Sequence, residues 1–239
     1  MFFASRLFRG FWFTALALFV VMLFYPISNR FTRGASVALL LAVWFGLVVL
    51  CWRWRIVRFF QLAITVFCTG FLLLPARTRP DATALRGDYI AGLRHYENVR
   101  YVWGGESLTG IDCSGLIRRG LIDSLFMRGL RTFNPGLIRH AISLWWHDCT
   151  ANDLGEAYGQ LTIPLFDTPS INALDHSRLL PGDLAVTSGG EHIMAYIGTN
   201  TWIEADPGAG RVIIVAAPSA KNAWFQMPMK IVRWSIFQQ

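Results

Sequence analysis

Two side chains in this sequence are suited to nucleophilic chemistry as a pair, Cys113 and His192. Cys113 lies in Gly110-Ile111-Asp112-Cys113-Ser114-Gly115-Leu116, and the residues after it, Leu116, Ile117, Leu121, Ile122, Leu125 and Phe126, recur at helical spacing. The thiol is therefore expected at or just before a helix N-terminus, with Asp112 and Ser114 as available capping side chains. The positive end of a helix dipole favours a thiolate, the form of cysteine that attacks a carbonyl carbon. Glycines on both sides let a substrate or a second stretch of backbone come close. A lone cysteine is equally explained as a small buried hydrophobe. It becomes a catalytic candidate once a histidine is found elsewhere in the chain. His192 follows a Pro181-Gly182 turn, a strand-like Asp183–Val186 stretch and Ser188-Gly189-Gly190, and it opens the run His192-Ile193-Met194-Ala195-Tyr196-Ile197.

A histidine that moves a proton needs a third group on its far ring nitrogen to fix its tautomer and direction. Strand-like residues 192–197 and 201–205 are joined by Gly198-Thr199-Asn200, which are turn formers. Pairing centred on 198 sets Glu204 opposite His192. Pairing centred on 199 sets Asp206 there and leaves Glu204 as the diagonal neighbour on the same face. Glu204 is the first choice and Asp206 the fallback, against the competing role of a solvent-facing hairpin glutamate. A carboxylate in this position stabilises the imidazolium and raises the histidine pKa. His140, His147, Asp148 and Cys149 invite a zinc reading, but they lack ligand spacing, so no metal and no cofactor is expected. Cys51 and Cys68 fall in apolar runs, and a Cys113–Cys149 bridge would consume the nucleophile. No disulfide framework is indicated.

The rest of the chain must position these groups. Its 239 residues are 54 % hydrophobic and only 15 % charged. The net charge of +7 is uneven, because residues 1–80 carry nine arginines and neither lysine nor acid. The remainder is slightly acidic, with 13 basic and 15 acidic residues, and has no electrostatic footprint for nucleic acid. Phe11–Ile27, Ala35–Trp52 and Ile56–Leu74 are each close to the ~20 residues a spanning helix needs. No small-x-small cleavage site follows the first run, so three transmembrane helices are expected rather than a signal peptide. Trp12, Tyr25, Trp44, Trp52 and Trp54 lie near run ends, as interfacial aromatics do. With the N-terminus inside, Arg6, Arg9, Arg53, Arg55 and Arg58 fall on the inner side and Arg30, Arg33, Arg77 and Arg79 on the outer, which sends the remainder of the chain out of the cytoplasm. Residues 77–82 read as a stiff linker and a helix is expected from about Thr83 to Arg94. Pro135 opens another helix with its apolar face on Leu137, Ile138, Ala141, Ile142, Leu144 and Trp145. Trp145-Trp146 covers the core, rims a groove or rests on lipid. Residues 211–216 and 230–237 alternate as strands.

Taken in order, Tyr101-x-Trp103-Gly104-Gly105, Gly110-x-Asp112-Cys113-Ser114-Gly115-Leu116, Pro181-Gly182-Asp183-Leu184 and His192-x-x-x-Tyr196-Ile197-Gly198 resemble the motifs of NlpC-type cell-wall cysteine peptidases. The resemblance runs from about Asp88 to the C-terminus. It implies an α+β, papain-like domain over 83–239, a cysteine-bearing helix packed on an antiparallel sheet that carries the histidine, behind a membrane domain over 1–76. The stretch at about 128–178 departs from the family as an insertion. The resemblance places the Tyr101 hydroxyl at the active site, against the alternative of a core tyrosine. It makes Asp112 a contact for a substrate amine, with Ser114, Trp103 and Gly104 beside the substrate, against a capping role for Asp112. The family usually has His, Asn or Gln twelve residues after the histidine, and Glu204 is a departure. The implied activity is hydrolysis of an amide in a peptidoglycan stem peptide through a cysteine thioester, by an enzyme held on the outer side of a bacterial inner membrane. The lipid bilayer is the other partner. Two further classes stay open: a papain-like acyltransferase or thioesterase acting on lipid or lipoprotein, and a catalytically silent interaction protein.

Overall fold

The structure, a computed structural model, describes residues 6–76 and 81–238. Three helices open the chain: α1 (Arg6–Phe24), α2 (Arg30–Leu50) and α3 (Arg55–Leu73). All three are long and apolar enough to cross a membrane. Their outward faces leave Phe11, Phe31, Phe59, Phe60, Phe67 and Leu73 exposed, an apolar surface far larger than a water-soluble monomer presents. α2 starts five residues before the apolar run Ala35–Trp52, because Asn29 and Thr32 form a capping box. Arg30 and Arg33 therefore belong to its first turn. Arg55 and Arg58 likewise lie in the first turn of α3. Trp12 on α1 packs over Gly46 of α2 and donates Nε1–H to Val43 O at 2.9 Å.

The second unit begins with α4 (Ala82–Arg94), capped by Asp81. The linker expected over 77–82 lies outside the described residues at 77–80, and Asp81 and Ala82 already belong to the start of α4. A two-residue hairpin, β1 (Glu106–Ser107) with β2 (Gly110–Ile111), leads into α5 (Cys113–Arg131). α6 (Pro135–Trp146) and the short α7 (Ala151–Gly155) follow, then β3 (Thr162–Thr168). The sheet is completed by β4 (Leu184–Thr187), β5 (Ile193–Gly198), β6 (Thr201–Asp206), β7 (Arg211–Ala216) and β8 (Met229–Trp234). It is antiparallel throughout, in the order β3-β8-β4-β5-β6-β7, so the domain is α+β.

Strand side chains alternate between two cores. On one face Leu184, Val186, Ile193, Ala195, Ile203 and Val232 meet Leu85, Tyr89 and Leu93 of α4 and Leu116, Ile117 and Leu121 of α5. On the other, Ala185, Met194, Tyr196, Trp202 and Ile231 are covered by Ile171, Leu174, Leu179 and Phe225 from the loops. β4 is thus buried on both sides. The stretch at about 128–178 adds Leu137, Ala141, Leu144, Cys149 and Leu154 to the helical core and an edge strand to the sheet.

Among the described residues, the two units touch at several places, two of them on the backbone of the helical unit. Arg139 of α6 donates to Leu72 O at 2.6 Å and to Leu74 O at 2.7 Å, at the C-terminal end of α3. The connection between α1 and α2 meets the turn before β1, where Ile27 bridges Gly105 and Ser28 N–H donates to Gly104 O at 2.8 Å.

Candidate active site

Cys113 is the first residue of α5 and Asp112 is its N-cap. Asp112 Oδ1 accepts from Gly115 N–H at 2.6 Å and from the Ser114 hydroxyl at 3.1 Å, while Oδ2 accepts from Gly104 N–H at 2.8 Å. One carboxylate therefore ties the Trp103-Gly104-Gly105 turn to the start of the helix. Asp112 N–H returns a bond to Gly105 O at 3.1 Å. The fit needs glycine at 115, where a Cβ would stand 2.1 Å from Gly105 O. It needs glycine at 104 for a different reason, a φ of +71°. Burial pushes the Asp112 pKa up, against hydrogen bonds from Gly115, Gly104 and Ser114 that pull it down.

His192 sits one residue before β5, buried to 1 % exposure, and its Nε2 lies 2.5 Å from Glu204 Oε2 on β6. The β5–β6 register, Ala195↔Ile203 and Tyr196↔Trp202, is centred on 199. Continued outward, it sets 206 across from 192 and makes Glu204 the diagonal partner, yet the imidazole reaches Glu204. Asp206 instead closes the following turn, accepting from Gly208 N–H at 2.9 Å and Ala209 N–H at 3.1 Å. Glu204 is fully buried. Its second oxygen accepts from Asn222 Nδ2, and Asn222 Oδ1 in turn accepts from Trp224 N–H at 3.0 Å. Trp224 stacks on the His192 ring with centroids 4.3 Å apart and planes 15° from parallel, and its Nε1–H donates to Asp206 Oδ1 at 3.2 Å.

With Nε2 engaged by Glu204, Nδ1 is the ring nitrogen left for the thiol. Burial alone would lower the His192 pKa, but hydrogen bonds to Cys113 and Glu204 outweigh it and carry the value up to about 9. Tyr101 is half-buried beside the same groups. Burial first, then the neighbouring Cys113, Asp112 and Asp206, raise its pKa to about 12.

Cys113 opens into a cleft of about 280 Å³ lined by Tyr101, Trp103, Gly104, Asp112 and Ser114, with Gly190 and Glu191 among the other lining residues. Trp103, 78 % exposed, forms its lip. The cleft thus gathers Tyr101, Trp103, Gly104, Asp112, Cys113 and Ser114, with His192 and Glu204 buried beside Cys113. Asn222 and Trp224 were not marked by the sequence; Asn222 caps a short 3-10 helix, Ala223–Gln226, that carries Trp224 and is too brief to show a period. Nor did the sequence mark Ser28, Glu106 and Arg118, which also line the cleft. Asp148, considered above as a metal ligand, pairs with Arg118 at 2.8 Å. Cys149 is buried, its pKa pushed up to about 11 by burial, and all four cysteines are free.

No protein-family model and no curated protein matches this chain. Several solved structures do. An NlpC/P60 family protein from Bacillus cereus is 19 % identical, with 67 % of this chain and 41 % of that chain covered, at a TM-score of 0.38. The peptidoglycan hydrolase RipB from Mycobacterium tuberculosis is 21 % identical over 68 % of this chain and 70 % of that one, at a TM-score of 0.39. The P60 domain of an antigen from Mycobacterium avium subspecies paratuberculosis is 21 % identical over 64 % and 96 %, also at 0.39. The present chain thus spans less than half the length of the Bacillus protein.

Proposed function

We propose that this chain is a membrane-anchored cysteine hydrolase that cuts an amide bond in peptidoglycan stem peptides. The observation that carries the reaction type is the His192 ring, fixed by Glu204 on Nε2, stacked by Trp224 and turned towards a cysteine at a helix N-terminus. The cell-wall substrate is supported by the four sequence motifs in their order.

In the proposed reaction His192 takes the Cys113 thiol proton, the sulfur attacks the amide carbonyl carbon, and the carbonyl oxygen becomes an oxyanion near the helix N-terminus. The Cys113 backbone N–H is a candidate donor to it, since the Gly115 N–H is already spent on Asp112. Collapse breaks the C–N bond, and the imidazolium of His192 gives its proton to the leaving amine. Neutral His192 then takes a proton from water, whose oxygen attacks the thioester, and the thiol is released with a free carboxylate as product. Glu204 holds the ring direction and favours its charged form throughout. Tyr101, Trp103, Gly104 and Ser114 form the wall along which the stem peptide lies. Asp112 Oδ2 accepts one bond in the structure and retains capacity for a substrate amine.

Anchoring rests on the three helices able to span a bilayer, and the outward orientation of the domain on the arginine distribution. The test is the purified full chain incubated with defined muropeptides and products read by mass spectrometry. A new free amine and carboxylate, lost in Cys113→Ser, is the expected result. Intact muropeptides alongside a reactive Cys113 would count against the substrate class.

A further inference from the structure

A buried cluster of charge joins the first apolar hairpin to the cleft. Arg33 in the first turn of α2 is 2 % exposed. Its Nη2 lies 3.0 Å from Glu106 Oε2 and its Nε donates to Ser28 Oγ at 2.9 Å, while the Ser28 hydroxyl donates to the same Glu106 oxygen at 3.0 Å. Arg118 of α5 closes the cluster from the other side, 3.1 Å from Glu106 Oε1 and 2.8 Å from Asp148. The backbone repeats the connection, with Ser28 N–H on Gly104 O at 2.8 Å and Glu106 N–H on Pro26 O at 3.1 Å. Glu106 directly follows the Trp103-Gly104-Gly105 turn, and that turn holds the Asp112–Cys113 corner through Gly104 N–H and Gly105 O. A continuous set of bonds therefore runs from α2 to the nucleophile, and Ser28 itself lines the cleft.

We infer that the connection Tyr25–Asn29 contributes to the active-site cleft through Ser28 and that Arg33 is a positioning residue, which sets the place of Cys113 through Glu106 and the Gly104-Gly105 turn. The inference rests on the reading of Cys113 as the nucleophile. It gives α1 and α2 a part in the reaction beyond anchoring. A buried ion pair here specifies one register between the two units, which is the best-attested use of buried ionic groups.

The full chain in lipid nanodiscs tests it through two readouts, the second-order rate of Cys113 alkylation by iodoacetamide and the kcat and KM for a stem peptide. Arg33→Met should slow alkylation and lower kcat about ten- to a hundredfold with KM little changed, as a displaced nucleophile does. Arg33→Lys, which restores the charge, should recover most of the loss. Combining Arg33→Met with Glu106→Gln should be no worse than the poorer single variant, because both break one path. Where Arg33→Met fails to fold, Ser28→Ala, which removes one bond from each of Arg33 and Glu106, should slow alkylation and lower kcat by a smaller factor, and wild-type values there would overturn the inference. Wild-type alkylation and kcat in folded Arg33→Met, or multiplicative losses in the pair, would overturn the inference. Alkylation reports thiol geometry whether or not peptide is cut. Wild-type protein that alkylates but leaves every stem peptide intact would count against the proposed reaction alone.

Discussion

Replacing Glu204 by Gln separates the charge of this residue from its shape. The two groups approach to 2.5 Å with side chains 2 % and 0 % exposed, so solvent does not screen them. Burial works against a charged His192, yet the hydrogen bonds to Cys113 and Glu204 lift its pKa from 6.5 to about 9. A rise of that size is about 3 kcal/mol in favour of the imidazolium. The amide of Gln keeps a hydrogen-bonding group in the same space and removes the anion, while the Cys113 partner and the burial are unchanged. The His192 pKa should then fall by roughly one to two units. The sign follows from the charge: losing an anion disfavours the cation, so the pKa drops. The alkaline limb of kcat/KM, which reports loss of the imidazolium proton, should move to lower pH by the same amount. Nitrogen-15-labelled histidine read by NMR gives the ring titration directly, and the kinetic profile gives its consequence. Stability follows the same shift. A histidine whose folded pKa is raised stabilises the fold fully below 6.5 and loses that contribution as pH rises through about 9, so wild type should lose more stability across that window than Glu204→Gln. A wild-type His192 titrating near 6.5, or an unmoved limb in folded Glu204→Gln, would refute the reasoning.

Iodoacetamide should label Cys113 well before Cys149, whose pKa burial raises to about 11, and equal labelling would mean that Cys113 is not activated. Trp224→Phe should keep most of the activity because a ring still covers His192, whereas Trp224→Ala should lose about tenfold with the fold intact, on a stacking worth ~0.5–1.5 kcal/mol plus the freedom given to the imidazole. Gly115→Ala must push Gly105 O away from a Cβ at 2.1 Å, so thermal melting should fall and alkylation of Cys113 slow, and unchanged melting would mean that the turn gives way at no cost. A reporter active only in the cytoplasm, fused after Gln239, should be silent, and strong activity there would reverse the proposed orientation.

What was legible in the sequence is what period and local chemistry encode. The helix after Cys113, the cap at Asp112, the helix after Asn134 and the strand 211–216 appear at the expected positions. The hairpin turn was legible too, because Gly198, Thr199 and Asn200 all take positive φ, at 96°, 50° and 55°. Its register was left between two alternatives by the sequence, since strand period fixes the face of the sheet and not the partner across it. Glu204 meets His192 under either, because a side chain long enough to cross diagonally does not need the opposite position. The final strand ends earlier than its pattern, with 235–237 turning away after Trp234. β3 was missed because Pro164 interrupts its pattern. A proline is tolerated there because β3 is an edge strand with a register shift between Pro164 and Phe166. Asn222, Trp224, Glu106 and Arg118 were invisible for another reason: each acts on a residue far away in the chain, through contacts that no spacing records.

The same long-range contacts constrain how the chain sits in a bilayer. The Tyr25–Asn29 connection bonds to the Gly104–Glu106 turn, and the C-terminal end of α3 bonds to α6. Both of those ends therefore lie on the side of the Cys113 domain. Under the proposed anchoring, three successive spanning helices satisfy this with the start of α1 and the turn 51–54 together on the opposite side. Arg6, Arg9, Arg53, Arg55 and Arg58 then gather at one face, whatever path residues 77–80 take. Arg33, counted with the outer charges from sequence, is buried against Glu106 and is held in place by the folded domain rather than by the lipid surface. The proposed orientation then turns on which face meets the cytoplasm, and the positive-inside rule favours the face with the five arginines. In that proposed orientation the cleft opens on the far side, lined in part by Ser28 of the connection between α1 and α2.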